Sequence, residues 1–212
     1  MLLVIETATA ACSAALLDEN GGVIDARHEV VGRGHAERLV PMIQELLDGR
    51  RPVSILVDCG PGSFTGIRVG LAAAHGLAIG WSVPIAGFSS LALLAAMSGE
   101  AEVAAALHGG HGEIFVQDYG GDPLAPLGQL RSLRPEAAAA AIAADVVIGS
   151  AAEMLVALRG RGRAIDVLPR AAEAGRLPPP LRSMEPRPLY GRAPDAKPVQ
   201  SDAAGGVEGP KA

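Results

Sequence analysis

Three groups of residues carry side chains suited to chemistry. Glu6, Asp58 and either Glu37 or Glu45 stand at the ends of apolar runs and on an intervening amphipathic segment. Their placement mimics the carboxylates of a two-metal nuclease site, which works only when its acids converge within a few ångströms. In "HGGHGE" (108–113), His108, His111 and Glu113 offer two imidazoles and a carboxylate. An H-x-x-H spacing in a glycine-rich turn lacks the further ligands of a zinc site, so a hairpin turn is the plainer expectation. The third group is "DCGPGSFTGIRVGLAAAHGLAIGW" (58–81), where glycines, Ser63, Thr65 and Arg68 lie between an apolar run and a helical pattern.

That third stretch fits no common nucleotide or nucleophile motif. A phosphate loop needs Gly-Lys followed by Ser or Thr, whereas Ile67 follows Gly66 and the first lysine of the chain is Lys197. A dinucleotide fingerprint needs G-x-G-x-x-G and an acid about 20 residues on. Here the glycines at 60, 62 and 66 are spaced too widely, and no acid occurs between Asp58 and Glu100. A nucleophile elbow needs Ser at the centre of G-x-S-x-G, where this chain has Phe64. What remains is a strand-to-helix turn. Gly62, Ser63 and Thr65 could hold an anion on free amides at the helix N-terminus, or Ser63 and Thr65 could simply cap it.

The elements needed to position these residues follow from the apolar pattern. Runs at 2–6, 12–19 and 23–31 read as an antiparallel meander, with the hairpin signal Asn20-Gly21-Gly22 between the second and third. Residues 35–47 read as a helix with Leu39, Met42, Ile43, Leu46 and Leu47 at helical spacing, and with Pro41 marking a kink or a late start. A buried strand is expected at 53–59, a helix at 66–81, a strand at 83–88 and a helix at 89–97. The second half is weaker: strands at 102–107, 112–119 and 127–133, a helix at 135–144 with Pro135 at its first position, a strand at 145–149, a helix at 151–158, and a strand at 164–169 with a helix to 175. Lobes at 1–100 and 101–177 are expected, then a Pro-rich segment and disordered tail over 178–212.

The helix at 66–81 has a further peculiarity. Gly66, Gly70, Ala73, Leu77 and Gly80 share one face, and Val69, Ala72, Ala73, Gly76 and Gly80 make the opposite face equally small and apolar. Each interior glycine costs about 1 kcal/mol against alanine, and a helix apolar nearly all round requires burial on both sides. One side belongs to the sheet. The other is open to a partner.

Bulk properties bound the rest. The 212 residues carry 18 Lys and Arg against 23 Asp and Glu, a formal charge of −5, so the molecule as a whole does not attract polyanions. Between 159 and 192, eight arginines face only Asp166, Glu173 and Glu185, which fits a solvated surface or, alternatively, contact with RNA or an acidic partner. Cys12 and Cys59 lie in apolar runs without metal spacing and read as buried thiols of a reducing compartment. His35 and His75 have no partner visible in the sequence. The start lacks a basic region before its apolar run, and the longest apolar stretch, 69–94, is broken by His75, Gly76, Gly80 and Pro84. A cytoplasmic protein that makes no membrane contact is expected.

The blocks "VIETATAACSAALL", "GHAERLVPMIQELL", "GPGSFTGIRVGLAAAHGLAIGWSVPIAGFSSLALLA" and "LYGRAPDAKP" closely resemble the bacterial TsaB (YeaZ) family. The resemblance spans most of residues 1–100 and returns near 188–198. It implies an α/β, actin-like ATPase (ASKHA, ribonuclease-H-like) two-lobed fold whose second lobe is small and degenerate. It also implies a non-catalytic subunit supporting the catalytic paralogue TsaD in forming threonylcarbamoyladenosine in tRNA. The implied partners are a TsaD homologue and a TsaE-type ATPase, with tRNA met indirectly and a homodimer formed when the chain is alone. It has no cofactor of its own, since ATP and metal belong to the partner subunits. Joined with the helix reading, it assigns the partner surface to His35, Leu39, Met42, Ile43 and Leu46 of one helix and Gly66, Arg68, Val69, Gly70, Ala73, Gly76 and Leu77 of the next. The paralogue's two metal-binding histidines fall on Ser90 and Leu94 here. Two departures stand out: Glu6 replaces the family's usual Asp, and "LHGGHGEIF" replaces an Asp-Ala-Arg-like stretch. The alternatives are an actin-like phosphotransferase binding ATP between the lobes, at 6–11 and 60–66, and a nuclease using the acids named first.

Overall fold

The computed structural model describes residues 1–189, and its first sheet is made from the opening apolar runs: β1 (Leu2–Glu6), β2 (Ala11–Leu17), β3 (Val23–Val30), β4 (Ser54–Asp58) and β5 (Ile85–Phe88), in the order β3-β2-β1-β4-β5. The first three strands pair antiparallel, while β4 and β5 run parallel to β1. The sequence dictates that difference. Asp18 accepts the amides of Asn20 and Gly22, and Gly21 takes a φ of 84°, which closes a tight turn between β2 and β3. Parallel strands need crossovers instead. Here these are α1 (His35–Leu47) and α2 (Phe64–Trp81).

After α3 (Ser90–Ser98) the plan repeats in β6 (Glu102–His108), β7 (Ile114–Gly120), β8 (Ala125–Pro126), β9 (Arg131–Leu133), α4 (Pro135–Ala141), β10 (Val146–Ile148), α5 (Ala152–Arg159) and β11 (Arg163–Ile165). The second sheet runs β11-β10-β6-β7-β8, with β9 also on β7. β6 pairs antiparallel with β7 and parallel with β10, as β1 does with β2 and β4, and α4 and α5 occupy the crossovers filled by α1 and α2 in the first half. The expected two-lobed α/β fold with a reduced second lobe is present.

The layers follow from which strand faces are apolar. Leu3, Ile5, Leu16 and Val57 pack beneath α1 and α2. Val4, Leu17, Leu56 and Phe88 point the other way, onto α3 and the second sheet's Val103 and Leu107. Ala106, Val116 and Val147 of the second sheet meet α4 and α5. α3 is apolar all round because it lies between the two sheets, and Ser90 through Ala95 are all buried.

Several expectations shift. α1 begins at His35 despite Pro41. Proline's missing amide would have bonded to the carbonyl of Glu37, and both residues are at the exposed face, where water can take that carbonyl. The strand expected at 127–133 shortens to β9, preceded by β8. The helix expected to end at 175 is a 3-10 segment, Ala171–Arg176. That segment, expected in the second lobe, lies on β2, where the amide of Ala171 donates to Ser13 Oγ at 3.0 Å. The described part of the Pro-rich stretch from 178 is anchored on the first lobe: Met184 bridges Gly87, and the Leu189 amide donates to the Cys59 carbonyl at 2.7 Å. The remainder of that stretch and the expected tail lie outside the described residues.

Candidate functional site

α1 and α2 pack side by side over the first sheet. The partner residues assigned to α1 are not available for docking. His35, Leu39, Met42, Ile43 and Leu46 are all buried within the chain, and the imidazole Nε2 of His35 lies 3.0 Å from the Ala11 carbonyl oxygen. The reason is physical: α1 has a single apolar stripe, and the sheet beneath it requires cover. Its outward face carries Glu37, Val40, Gln44 and Glu45, with Arg38 bonded to both Glu29 and Glu45.

α2 divides its assigned residues. Gly66 and Gly70 are buried under the turn between β1 and β2, where a side chain would collide with the carbonyl oxygen and the hydroxyl of Thr7. These two glycines serve the chain's own packing. Val69, Ala73 and Leu77 are half-buried along the flank. Arg68 and Gly76 face outward, together with Phe64, Ala72, His75, Ile79 and Gly80. Ile79 is 80% exposed and Phe64 55%, and the Arg68 guanidinium stacks 3.6 Å over the Phe64 ring. Among the described residues, nothing beyond the helix's own backbone and the flanking residues lies within 4 Å of where a Cβ would stand at Gly76 or Gly80. The partner assignment omitted Phe64 and Ile79. Their signal was the four-residue recurrence Phe64, Arg68, Ala72, Gly76, Gly80, with Ile79 alongside. His75 Nε2 lies 3.0 Å from the carbonyl oxygen of Pro186, so the C-terminal segment borders this face.

The N-terminal turn of α2 is capped from within. Ser63 Oγ accepts the Gly66 amide at 3.2 Å, and the Ser63 amide donates to the Ala8 carbonyl at 2.6 Å. Gly62 lets that approach happen, since a Cβ there would overlap Ala8 O. Of the three residues assigned to an anion, Gly62 and Ser63 are thereby used in holding the turn, and Thr65 is exposed. Ser63→Ala is expected to lower stability by about 1 kcal/mol, read as a fall in the urea midpoint at unchanged slope.

Between the lobes lies a cavity of about 840 Å³, lined by Thr9, Ser63 and Phe64 on one side and by His108, His111 and Phe115 on the other. The "HGGHGE" stretch forms the turn between β6 and β7, as expected. Of the four acids, the structure joins only Glu6 and Asp58, buried at the ends of neighbouring strands. Glu37 and Glu45 remain on the outside of α1, and no cluster of three or more metal-ligating side chains occurs among the described residues. Ser90 and Leu94 are fully buried in α3, and the Ser90 hydroxyl donates to Asp58 at 2.8 Å. Several arginines of the basic stretch are paired: Arg161 with Asp145, Arg163 with Glu100, Arg176 with Glu173 and Arg187 with Glu185. Arg192 lies outside the described residues. No helix among them is long and apolar enough to cross a membrane.

Comparison with known proteins gives concordant matches. Residues 7–130 match the family described as "TsaD: tRNA N6-adenosine threonylcarbamoyltransferase". The Escherichia coli protein named tRNA threonylcarbamoyladenosine biosynthesis protein TsaB is 37% identical over 127 residues, which cover 56% of this chain and 54% of that protein. The chain spans about half the length of the curated relatives it matches. Among solved structures, a Pseudomonas aeruginosa protein described as similar to peptidase YEAZ superposes with a TM-score of 0.73 at 31% identity, over 90% of this chain and 99% of that one. YeaZ from the same organism gives a TM-score of 0.74 at 29% identity, over 89% and 98%.

Proposed function

The chain belongs to the TsaB/YeaZ family of tRNA N6-adenosine threonylcarbamoyltransferase-like proteins, and on that premise we propose that it is a non-catalytic subunit that supports a TsaD homologue in forming threonylcarbamoyladenosine in tRNA. The observation that carries the docking part is the outward face of α2. Gly76 and Gly80 weaken their own helix by about 1 kcal/mol each and relieve no contact with another element among the described residues. They sit beside Ile79, Ala72 and Phe64 on an apolar, exposed surface. Small residues there let a second helix approach to the short end of 8–10 Å. A TsaD homologue is the proposed occupant, with a second copy of this chain taking the same face when TsaD is absent. A TsaE-type ATPase joins the assembly, tRNA is met through the partners, and ATP and metal reside on them. The non-catalytic part of the proposal is supported by Ser90 and Leu94, which are packed into the core at the positions of the paralogue's metal-binding histidines. The cytoplasm is the proposed compartment.

The test is capture of the TsaD homologue from the native cell on tagged chain, together with the mass of the purified chain in solution. A defined complex and a dimer are expected. A monomer that captures no such partner overturns the proposal. The cavity between the lobes favours one other reading, an actin-like phosphotransferase, and micromolar heats with Mg-ATP on the isolated chain would support that instead.

A further inference from the structure

Glu6 closes β1 and Asp58 closes β4. The ladder between those strands pairs Ile5 with Val57 one step earlier, so the two carboxyl groups emerge side by side. Both are buried. Each uses one oxygen in the same way: Glu6 Oε1 accepts the Ala8 amide at 2.9 Å, and Asp58 Oδ1 accepts the Gly60 amide at 2.6 Å and the Ser90 hydroxyl at 2.8 Å. Each leaves its other oxygen, Glu6 Oε2 and Asp58 Oδ2, buried without a hydrogen-bond partner among the described residues. Two ionised carboxylates in that arrangement would place adjacent negative charges in the interior, each with a desolvated oxygen. One proton between the two orphaned oxygens replaces that repulsion with a strong O–H···O⁻ bond.

The loops that these carboxyls brace also hold α2. The Thr7 hydroxyl donates to the Gly66 carbonyl at 2.8 Å, and the Ser63 amide donates to the Ala8 carbonyl at 2.6 Å. We propose that Glu6 and Asp58 share one proton, that this clamps the turn after β1 and the loop after β4 against the first turn of α2, and that losing the proton loosens that turn.

The surroundings favour this arrangement. Burial pushes Asp58 up to about 7, and it raises Glu6 well above the usual carboxylate range, with the charge of Asp58 adding to the effect. Two thiols feel the pair: Cys12 on β2, held near 11 by burial and then by Glu6, and Cys59 after β4, held near 12 by burial and then by Asp58. β2 also places Ser13 opposite Glu6, with its hydroxyl donating to the Arg27 carbonyl, and α1 contributes His35, bonded to Ala11. α3 supplies the Ser90 hydroxyl, and the inner face of α2 is Gly66, Ile67, Gly70 and Leu71. Among the described residues, no arginine or lysine is among the groups acting on either carboxyl.

An unfolded carboxyl loses its proton near pH 4, whereas burial keeps Asp58 protonated to about pH 7 and holds Glu6 well above the ordinary range as well. The native state thus binds more protons across that interval, so the clamp is strongest at its acid end and weakens as pH rises. Opening of the first turn should grow by up to about tenfold per pH unit between those limits.

Hydrogen exchange at the Gly66 and Ile67 amides of the full chain, corrected for intrinsic rates, should show this loss of protection. Asp58→Asn keeps an oxygen for the Gly60 amide and offers an N–H to Glu6 Oε2, so its protection should fall less steeply with pH than in wild type, and Glu6→Gln provides the reciprocal variant. Carbon-detected titration of the wild-type carboxyls needs no variant. One carboxyl titrating near neutrality sustains the proposal, whereas both titrating in the ordinary carboxylate range, or equal pH slopes in wild type and Asp58→Asn, overturn it. Any effect on docking rests on the reading of α2 given above. The exchange and titration measurements concern the chain alone, so failure to find a partner leaves the clamp standing, and failure of the clamp leaves the docking face untouched.

Discussion

Alanine at Gly66 is expected to destabilise the fold by about 3 kcal/mol or more, because the new methyl group would collide with backbone that cannot move away. The ideal Cβ falls inside the contact distance of the Thr7 carbonyl oxygen. Thr7 is held in place in turn, since its hydroxyl donates to the Gly66 carbonyl at 2.8 Å and the turn after it carries the Ser63–Ala8 bond. For a chain of this size such a loss corresponds to a fall in Tm of roughly 6–12 °C. The same substitution at Gly76 has the opposite sign. Among the described residues, nothing beyond the helix's own backbone and the flanking residues lies within 4 Å of that Cβ, so alanine there removes the cost of a helical glycine and stabilises the lone chain by up to about 1 kcal/mol. Urea unfolding of both variants checks the pair. Equal effects at the two positions would show that α2 does not sit against the β1–β2 turn as described.

The contrast also shows what could and could not be read in the sequence. Strand order in the first lobe was legible because each connection declares itself. Asn20-Gly21 forces a hairpin, while the long helical segments 35–47 and 66–81 force parallel crossovers. The direction in which those helices face was not. Leu39, Met42, Ile43 and Leu46 make one stripe, and a stripe pattern does not state whether it meets a sheet of the same chain or a neighbour. On α2, Gly66 and Gly70 answer to Thr7, and Gly76 and Gly80 answer to no other element among the described residues, yet both pairs share the same four-residue spacing. Only the register of the helix against the β1–β2 turn separates them, and that register is fixed by the Ser63 cap and Gly62. The shared burial of Glu6 and Asp58 was half legible. Both end apolar runs, as a metal site requires, but their separation from Glu37 and Glu45 depends on α1 turning its acids to solvent. In the second lobe short strands and alanine-rich helices carry little periodicity, which is why residues 171–175 read as a helix of that lobe and not as a 3-10 segment lying on β2.

Arginine at Gly76 is expected to weaken self-association and capture of the TsaD homologue by at least about a hundredfold while leaving unfolding of the lone chain nearly unchanged. The position is exposed and open, so the monomer accommodates the side chain. In the proposed complex a standard interface hides about 800 Å² on each partner, and two helices meeting over small residues leave no room for a guanidinium. Burying that charge unpaired costs about 3–5 kcal/mol, which corresponds to the stated loss of affinity. Position matters more than charge. Arginine at Gly70 would be driven into the Thr7 hydroxyl and would report on folding instead, whereas Arg68 and its stack on Phe64 already show that the rim of this face tolerates a cation. Sedimentation of the Gly76→Arg chain at matched concentration, alongside its thermal unfolding, measures both halves of the expectation. A stable dimer that still captures the partner would place the docking surface elsewhere and leave Gly76 and Gly80 without a physical reason to be glycine.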